Sequence, residues 1–237
     1  MGALMADSPV ALITGGGSGM GAAVARRLLD AGHRVTVTGR GEERLRAFSR
    51  GLGDPAELLT LAGDAADHEH VEAAVAATVR EFGRLDTVVA NAGFATHDSV
   101  VDGDPSGWRD MVLTNVLGPA LLVRASIDRL KETRGRIVLI GSVAGHVHTP
   151  GNIYGATKWA VTGLAENTRR AVTEYGVGVT LVSPGRTETP FWDNYGSLPP
   201  GHLLTSDQIA ESVVWAIRQP AGVDVNTLVV RPVGQPV

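Results

Sequence analysis

Val10-Ala11-Leu12-Ile13-Thr14-Gly15-Gly16-Gly17-Ser18-Gly19-Met20-Gly21 is the stretch from which the architecture of this chain can be read. Its first five residues are apolar or β-branched without a polar break, the pattern of a strand buried on both faces. Gly15–Gly21 ends that run. Ala22–Ala31 then supplies good helix formers and closes at Gly32, a C-terminal cap signal. The first turn of a helix has unpaired backbone N–H groups and the positive end of the helix dipole. With glycines allowing close approach, such a turn can cradle a pyrophosphate. A merely flexible glycine turn has the same composition, and only the flanking strand and helix argue against it.

Working outward, the same alternation runs to the end of the chain. Apolar runs at Arg34–Thr38, Leu58–Ala62, Thr87–Ala90, Arg136–Ile140, Val177–Val182 and Thr227–Val230 read as strands. Between them lie helical patterns at Glu42–Arg50, Asp67–Phe82, Trp108–Lys131, Ile153–Tyr175 and Ser206–Gln219, with Asp67 placed to cap the second of these. Crossovers of this length require parallel pairing through right-handed βαβ units. The expected fold class is therefore α/β: a doubly wound, three-layer, mostly parallel sheet of about seven strands with helices on both faces. No linker or change of composition divides residues 1–237, so a single domain is expected, with residues 1–7 as a tail. Residues 187–204 form the longest stretch without a pattern. They are rich in Pro, Gly and aromatics, as expected of a loop that closes over a ligand.

Composition narrows the classes. The 237 residues contain no cysteine, which removes disulfides, thiolate catalysis and cysteine-bound zinc. A formal charge of −4 gives no electrostatic case for nucleic acid or an anionic membrane. No clustered His/Asp/Glu set suggests a metal. No apolar run approaches the roughly 20 residues of a bilayer span, and Met1–Ser8 lacks the pattern of a signal peptide. A cytoplasmic protein is the resulting expectation.

Tyr154-Gly155-Ala156-Thr157-Lys158 is the most suggestive chemical motif, and Lys158 is one of only two lysines among 21 basic residues. On a helix, positions four apart share a face. A neighbouring cation favours phenolate and would pull a phenol pKa down from about 10 toward the range of a general acid/base. A Tyr and a Lys sharing a solvated face would be spaced in the same way.

Together, Thr14-Gly15-x-x-x-Gly19-x-Gly21, Asp64, Asn91-Ala92-Gly93, Asn115, Ser142, Tyr154-x-x-x-Lys158 and Pro184-Gly185 resemble the short-chain dehydrogenase/reductases in their compact single-domain form. The resemblance covers essentially the whole chain. It implies an NAD(P)-dependent oxidoreductase acting on a small carbonyl compound or secondary alcohol, with Tyr154 as acid/base. Ser142 would orient the reacting oxygen. Lys158 would tune the phenol and bind the nicotinamide ribose, and Asn115 would hold a water in a proton path through its helix backbone. The cofactor would lie against Gly15, Gly17, Ser18, Gly19, Met20 and Gly21, although Met20 is also well placed simply to pack beneath the helix. Asp64 and the Ala65 backbone would meet the adenine, Asn91, Ala92 and Gly93 the adenosine ribose, and Pro184, Gly185, Thr187 and Thr189 the carboxamide. Asp64 in an ordinary turn and Asn115 as a structural amide remain open alternatives.

Arg40, at the end of the second strand, stands where an NAD site usually has an acid. A guanidinium can grip a 2′-phosphate through two parallel hydrogen bonds, so NADP is favoured and NAD remains possible. Phe191, Trp192 and Tyr195 would form the substrate lid or equally pack on the subunit itself, and His146 and His148 are candidate substrate neighbours. The resemblance also implies a homodimer or homotetramer paired through the two long helices. A 3-oxoacyl thioester reductase, an NAD-dependent alcohol dehydrogenase and a dinucleotide sensor without turnover are the competing readings.

Overall fold

Val10–Thr14 (β1) is buried along its whole length, and its side chains divide by parity between two cores. Leu12 joins one core, while Ala11 and Ile13 join the other, as the two-residue period of a strand requires. The computed structural model describes residues 8–195 and 198–236, so the expected tail at 1–7 and part of the expected lid lie outside the described residues.

After β1 come α1 (Gly19–Asp30), β2 (Arg34–Gly39), α2 (Glu42–Gly51), β3 (Leu58–Ala62), α3 (His68–Phe82) and β4 (Thr87–Ala90). The chain continues through α4 (Trp108–Val112), α5 (Gly118–Thr133), β5 (Arg136–Ile140), α6 (Ile153–Val172) and β6 (Gly178–Pro184). Two short strands, β7 (Thr187–Glu188) and β8 (Leu204–Thr205), precede α7 (Ser206–Ile217) and β9 (Thr227–Val230). The main sheet has seven strands in the order β3-β2-β1-β4-β5-β6-β9, all pairs parallel. On one face, α1, α2 and α7 contribute Leu28, Leu45 and Val213 to the first core. On the other, α3, α5 and α6 contribute Val75, Leu122 and Val161. The chain moves outward from β1 to β3 and then returns to place β4 on the other side of β1. The crevice at this reversal is where ligands bind in such sheets.

Three boundaries differ from expectation in instructive ways. First, α1 begins at Gly19 rather than Ala22, so the last two motif glycines lie inside its opening turn. Second, the helix expected at Trp108–Lys131 is divided by a π-type turn at Leu113–Leu117, with the Gly118 N–H bonding back to the Leu113 carbonyl. Pro119 supplies a reason: it has no N–H to give to the Asn115 carbonyl four residues earlier. Third, the unpatterned stretch after β6 is organised. β7 pairs with β8, residues Pro190–Tyr195 form a 3-10 helix, and Arg186 Nη1 donates to the Pro200 carbonyl at 2.9 Å. Contrary to the expectation about apolar runs, the helical segment Pro105–Thr133 is long and apolar enough to resemble a bilayer span. In this fold α5 packs Leu122 and Leu130 into the core beneath the sheet.

Candidate active site

The glycine loop is shaped by two left-handed residues, Gly15 (φ 66°) and Gly19 (φ 51°), a conformation costly for any residue with a Cβ. Asn91 anchors the loop from β4 by donating its amide N–H to the carbonyls of Thr14 (3.0 Å) and Gly15 (3.1 Å). The Thr14 hydroxyl in turn accepts from the backbone N–H groups of Asn91 and Ala92, each at 3.2 Å. A Cβ on Gly21 would lie 2.3 Å from the Gly15 carbonyl oxygen and 2.5 Å from Asn91 Nδ2. Gly21 therefore serves to seat α1 against β1. It is not among the residues that line the groove.

That groove encloses about 460 Å³ at the carboxyl ends of β1, β2 and β4. Gly15, Gly17, Ser18, Gly19 and Met20 form its floor, Asp64 and Ala65 one end, and Asn91, Ala92 and Gly93 its wall. Asp64 spends one carboxylate oxygen on the Ala66 N–H at 2.9 Å, so its ordinary turn role is realised within the groove wall. Arg40 also lines the groove, its guanidinium carbon 5.9 Å above the Phe94 ring. Arg44 stands beside it, a residue the sequence reading passed over. Its position in the first turns of α2, four after Arg40, was a usable signal. The two acids of that turn are engaged elsewhere, Glu42 with Arg46 and Glu43 with Arg50, each at 2.6 Å. The groove rim beside α2 thus presents two guanidiniums.

The four expected catalytic residues converge from three elements. Ser142 follows β5 and caps a short 3-10 turn, its hydroxyl accepting the Ala144 N–H at 3.1 Å. Tyr154 stands in the first turn of α6, which is capped by the Asn152 side chain accepting from the Gly155 N–H. The Tyr154 phenol opens into the same cavity as Ser142, whose nearby hydroxyl favours the ionised phenol. Asn115 lies in the π-type turn with its side chain fully committed. Oδ1 accepts the Phe94 N–H (3.0 Å), and Nδ2 donates to the Phe94 carbonyl (2.9 Å) and the Thr157 hydroxyl (3.0 Å). Thr157, also unanticipated, passes the link on by donating to the Tyr154 carbonyl at 2.7 Å.

Lys158 is only 6% exposed and donates to the Ile140 carbonyl at 2.9 Å. Its ammonium lies 5.7 Å from the centre of the Tyr154 ring. Burial lowers the Lys158 pKa to about 8 and raises that of Tyr154 to about 12, with the nearby Ser142 hydroxyl opposing the latter shift. The expectation that Lys158 would pull the phenol down is therefore corrected: desolvation dominates, and the ammonium is directed at a β5 carbonyl. Gly93 provides the room, since a Cβ there would meet Asn115 Oδ1 at 3.1 Å and Lys158 Nζ at 3.6 Å.

Tyr154 and Ser142 open into a second cavity of about 460 Å³, lined also by Pro184, Gly185 and Thr187. Met20, Thr189 and Phe191 line both spaces, so the groove and the cavity adjoin. Phe191 and Trp192 line the cavity, whereas the Tyr195 side chain lies outside the described residues. The two candidate histidines are elsewhere. His146 Nε2 is 2.8 Å from the Ser183 hydroxyl, and His148 stacks on Trp159 with ring centres 5.2 Å apart. Neither lines the cavity; His97 does, from a loop whose conformation carries no sequence signal.

A model of the short chain dehydrogenase family matches residues 9–198. The chain belongs to the short-chain dehydrogenase family. An uncharacterized oxidoreductase of Staphylococcus epidermidis is 32% identical over 228 residues, covering 94% of this chain and 97% of that protein. Among solved structures, the closed form of a serine dehydrogenase complexed with NADP+ matches with a TM-score of 0.89 and 32% identity, covering 96% of each chain. An alcohol dehydrogenase from the archaeon Thermococcus sibiricus complexed with 5-hydroxy-NADP matches with a TM-score of 0.86 and 28% identity, over 97% of this chain and 98% of that one. This short-chain dehydrogenase is accordingly an NAD(P)-dependent oxidoreductase.

Proposed function

We propose that the protein transfers hydride between NADP(H) and a small carbonyl compound or secondary alcohol, with Tyr154 as general acid/base. The observation that carries this reading is the adjoining pair of spaces. A glycine-floored groove at a helix N-terminus opens into the cavity that Tyr154 and Ser142 line together. The groove suits a dinucleotide on its own chemistry, with unpaired N–H groups at the start of α1 and two guanidiniums at the far rim. The guanidiniums of Arg40 and Arg44 favour the 2′-phosphate of NADP over the bare ribose of NAD, and the NADP-type ligands of both solved neighbours agree.

The bound cofactor supplies the hydride in reduction and accepts it in oxidation. Ser142 holds the substrate oxygen and Tyr154 gives it the phenolic proton; oxidation reverses that transfer. A phenol held near pKa 12 is fully protonated at neutral pH, the form needed of an acid. Lys158 would swing from the Ile140 carbonyl to ribose hydroxyls, bringing its charge closer to the phenol. The Asn115 carbonyl, without its helical N–H partner, is suited to hold a water that returns the proton to solvent. The reading includes pairing of two or four chains through exposed apolar side chains on the long helices.

The test is NADPH consumption, with NADH alongside, over a panel of ketones and aldehydes. Tyr154→Phe should reduce turnover by at least about a hundredfold, the lower range for acid–base catalysis. NADPH affinity by fluorescence titration should stay nearly unchanged. Unaltered turnover would remove Tyr154 from its role, and binding without turnover of any carbonyl would favour a sensor.

A further inference from the structure

His97 is one of three described non-glycine residues in the left-handed region, at φ 61°. Such a backbone is held only where the surroundings over-determine it. Here they do so from two sides. Behind His97, Ser99 forms a bridge with Asn152, the cap of α6, and the Val100 N–H donates to the Gly151 carbonyl at 2.9 Å. In front, His97 Nε2 lies 3.3 Å from the Phe191 carbonyl oxygen, within hydrogen-bond reach when that nitrogen carries the proton. The imidazole meets Phe191 edge-on (centres 5.0 Å apart, 81°) and stacks on Trp192 (5.7 Å, 22°). Phe191 and Trp192 are themselves edge-to-face at 5.2 Å. The Trp192 indole N–H donates to the Thr187 carbonyl at 2.8 Å, fixing that ring to β7. Phe191 comes to rest 5.4 Å from the Tyr154 ring.

A loop anchored to the start of α6 thus holds the two lid aromatics in place above Tyr154. We propose that His97 determines specificity: it sets Phe191 and Trp192 as a ring-lined roof that selects carbonyl compounds bearing a flat aryl group beside the carbonyl. This rests on the reading of the cavity as the substrate site. Aromatic side chains gain from edge-on or offset contact with another ring beyond the burial of area alone. A saturated ring of the same size offers the area without that contact. Val143, Ala144 and Pro150 extend the apolar wall below the roof, while Ser142 and Tyr154 hold the oxygen at the inner end.

The experiment compares matched pairs. Calorimetry on the NADPH-loaded protein, which cannot oxidise an alcohol, measures binding of 1-phenylethanol against 1-cyclohexylethanol. Turnover with NADPH compares acetophenone with cyclohexyl methyl ketone. The wild type should bind the aryl alcohol about fivefold more tightly than its saturated partner, the scale of one favourable ring pair. His97→Asn tolerates positive φ but lacks the ring, and Phe191→Leu keeps apolar volume; each should bring the ratio close to one. NADPH affinity should not follow in His97→Asn, whose side chain does not line the groove, which separates a roof from general damage to the fold. Equal affinities in the wild type, no binding of either alcohol, or a preference that survives both substitutions would overturn the proposal. An aryl preference in binding with no turnover of any carbonyl supports the roof while refuting the reductase reading.

Discussion

Lys158 shows how a proposed catalytic role and a folding requirement conflict at one residue. Its ammonium is buried with one carbonyl partner, and the pKa of about 8 lies below the ordinary 10.5. Between those values the folded chain binds fewer protons than the unfolded one, so stability rises with pH across that window. Below pH 8 both states are protonated and the full penalty of the buried charge remains. Lys158→Met should therefore stabilise the fold at pH 7 by on the order of 3 kcal/mol at most, from about 1.4 kcal/mol per pKa unit. The gain should vanish by pH 10.5 while turnover is lost. Urea unfolding at the two pH values measures this, and equal gains at both would show that the charge is not the cause. The Tyr-x-x-x-Lys spacing exposed this pair in the sequence. The dominance of desolvation over attraction was not legible, because it depends on how deeply α6 is covered by its neighbours.

At the scale of the element, the π-type turn between α4 and α5 matters most. A helix-period pattern reads through it as one long helix, because apolar side chains continue on both sides of Asn115. The consequence lies in the pairing of Asn115 with Pro119, whose ring removes the N–H that an α-helix would give to the Asn115 carbonyl. Pro119→Ala restores that donor and should let the helix close over the carbonyl. We expect the melting temperature to stay within about 4 °C, the shift from roughly 1 kcal/mol in a domain this size. We expect turnover to fall about tenfold through misplacement of the proton path. Calorimetry and steady-state kinetics on one preparation decide; unchanged turnover would show that the carbonyl takes no part. The opening of α1 at Gly19 is a similar case. The glycines were legible as a turn, but the division of labour between loop residues and Gly21 came from how closely β1, β4 and α1 approach.

For the whole molecule, several large apolar side chains stand exposed on the helices and the edge strand. Val112, Leu117 and Trp159 are at least 40% exposed on α4, the π-type turn and α6, and Trp215 and Val229 at least 41% on α7 and β9. These suit the proposed pairing of subunits. Sedimentation equilibrium should give two or four times the chain mass, and Trp159→Glu with Leu117→Glu should lower it; a wild-type monomer at micromolar concentration would refute the pairing. The succession of strands and helices, the parallel sheet and the glycine loop were legible from the sequence alone, as were the residues proposed for catalysis. Periodicity and glycine placement are local properties, and burial on both faces leaves them visible residue by residue. Only the tertiary structure decided that His97, rather than His146 or His148, lines the cavity beside Tyr154, that Arg44 joins Arg40, and that Lys158 turns to Ile140. Each of those outcomes depends on a distance between segments far apart in the chain, set by packing of the sheet and its loops, and a one-dimensional pattern carries no measure of such distances.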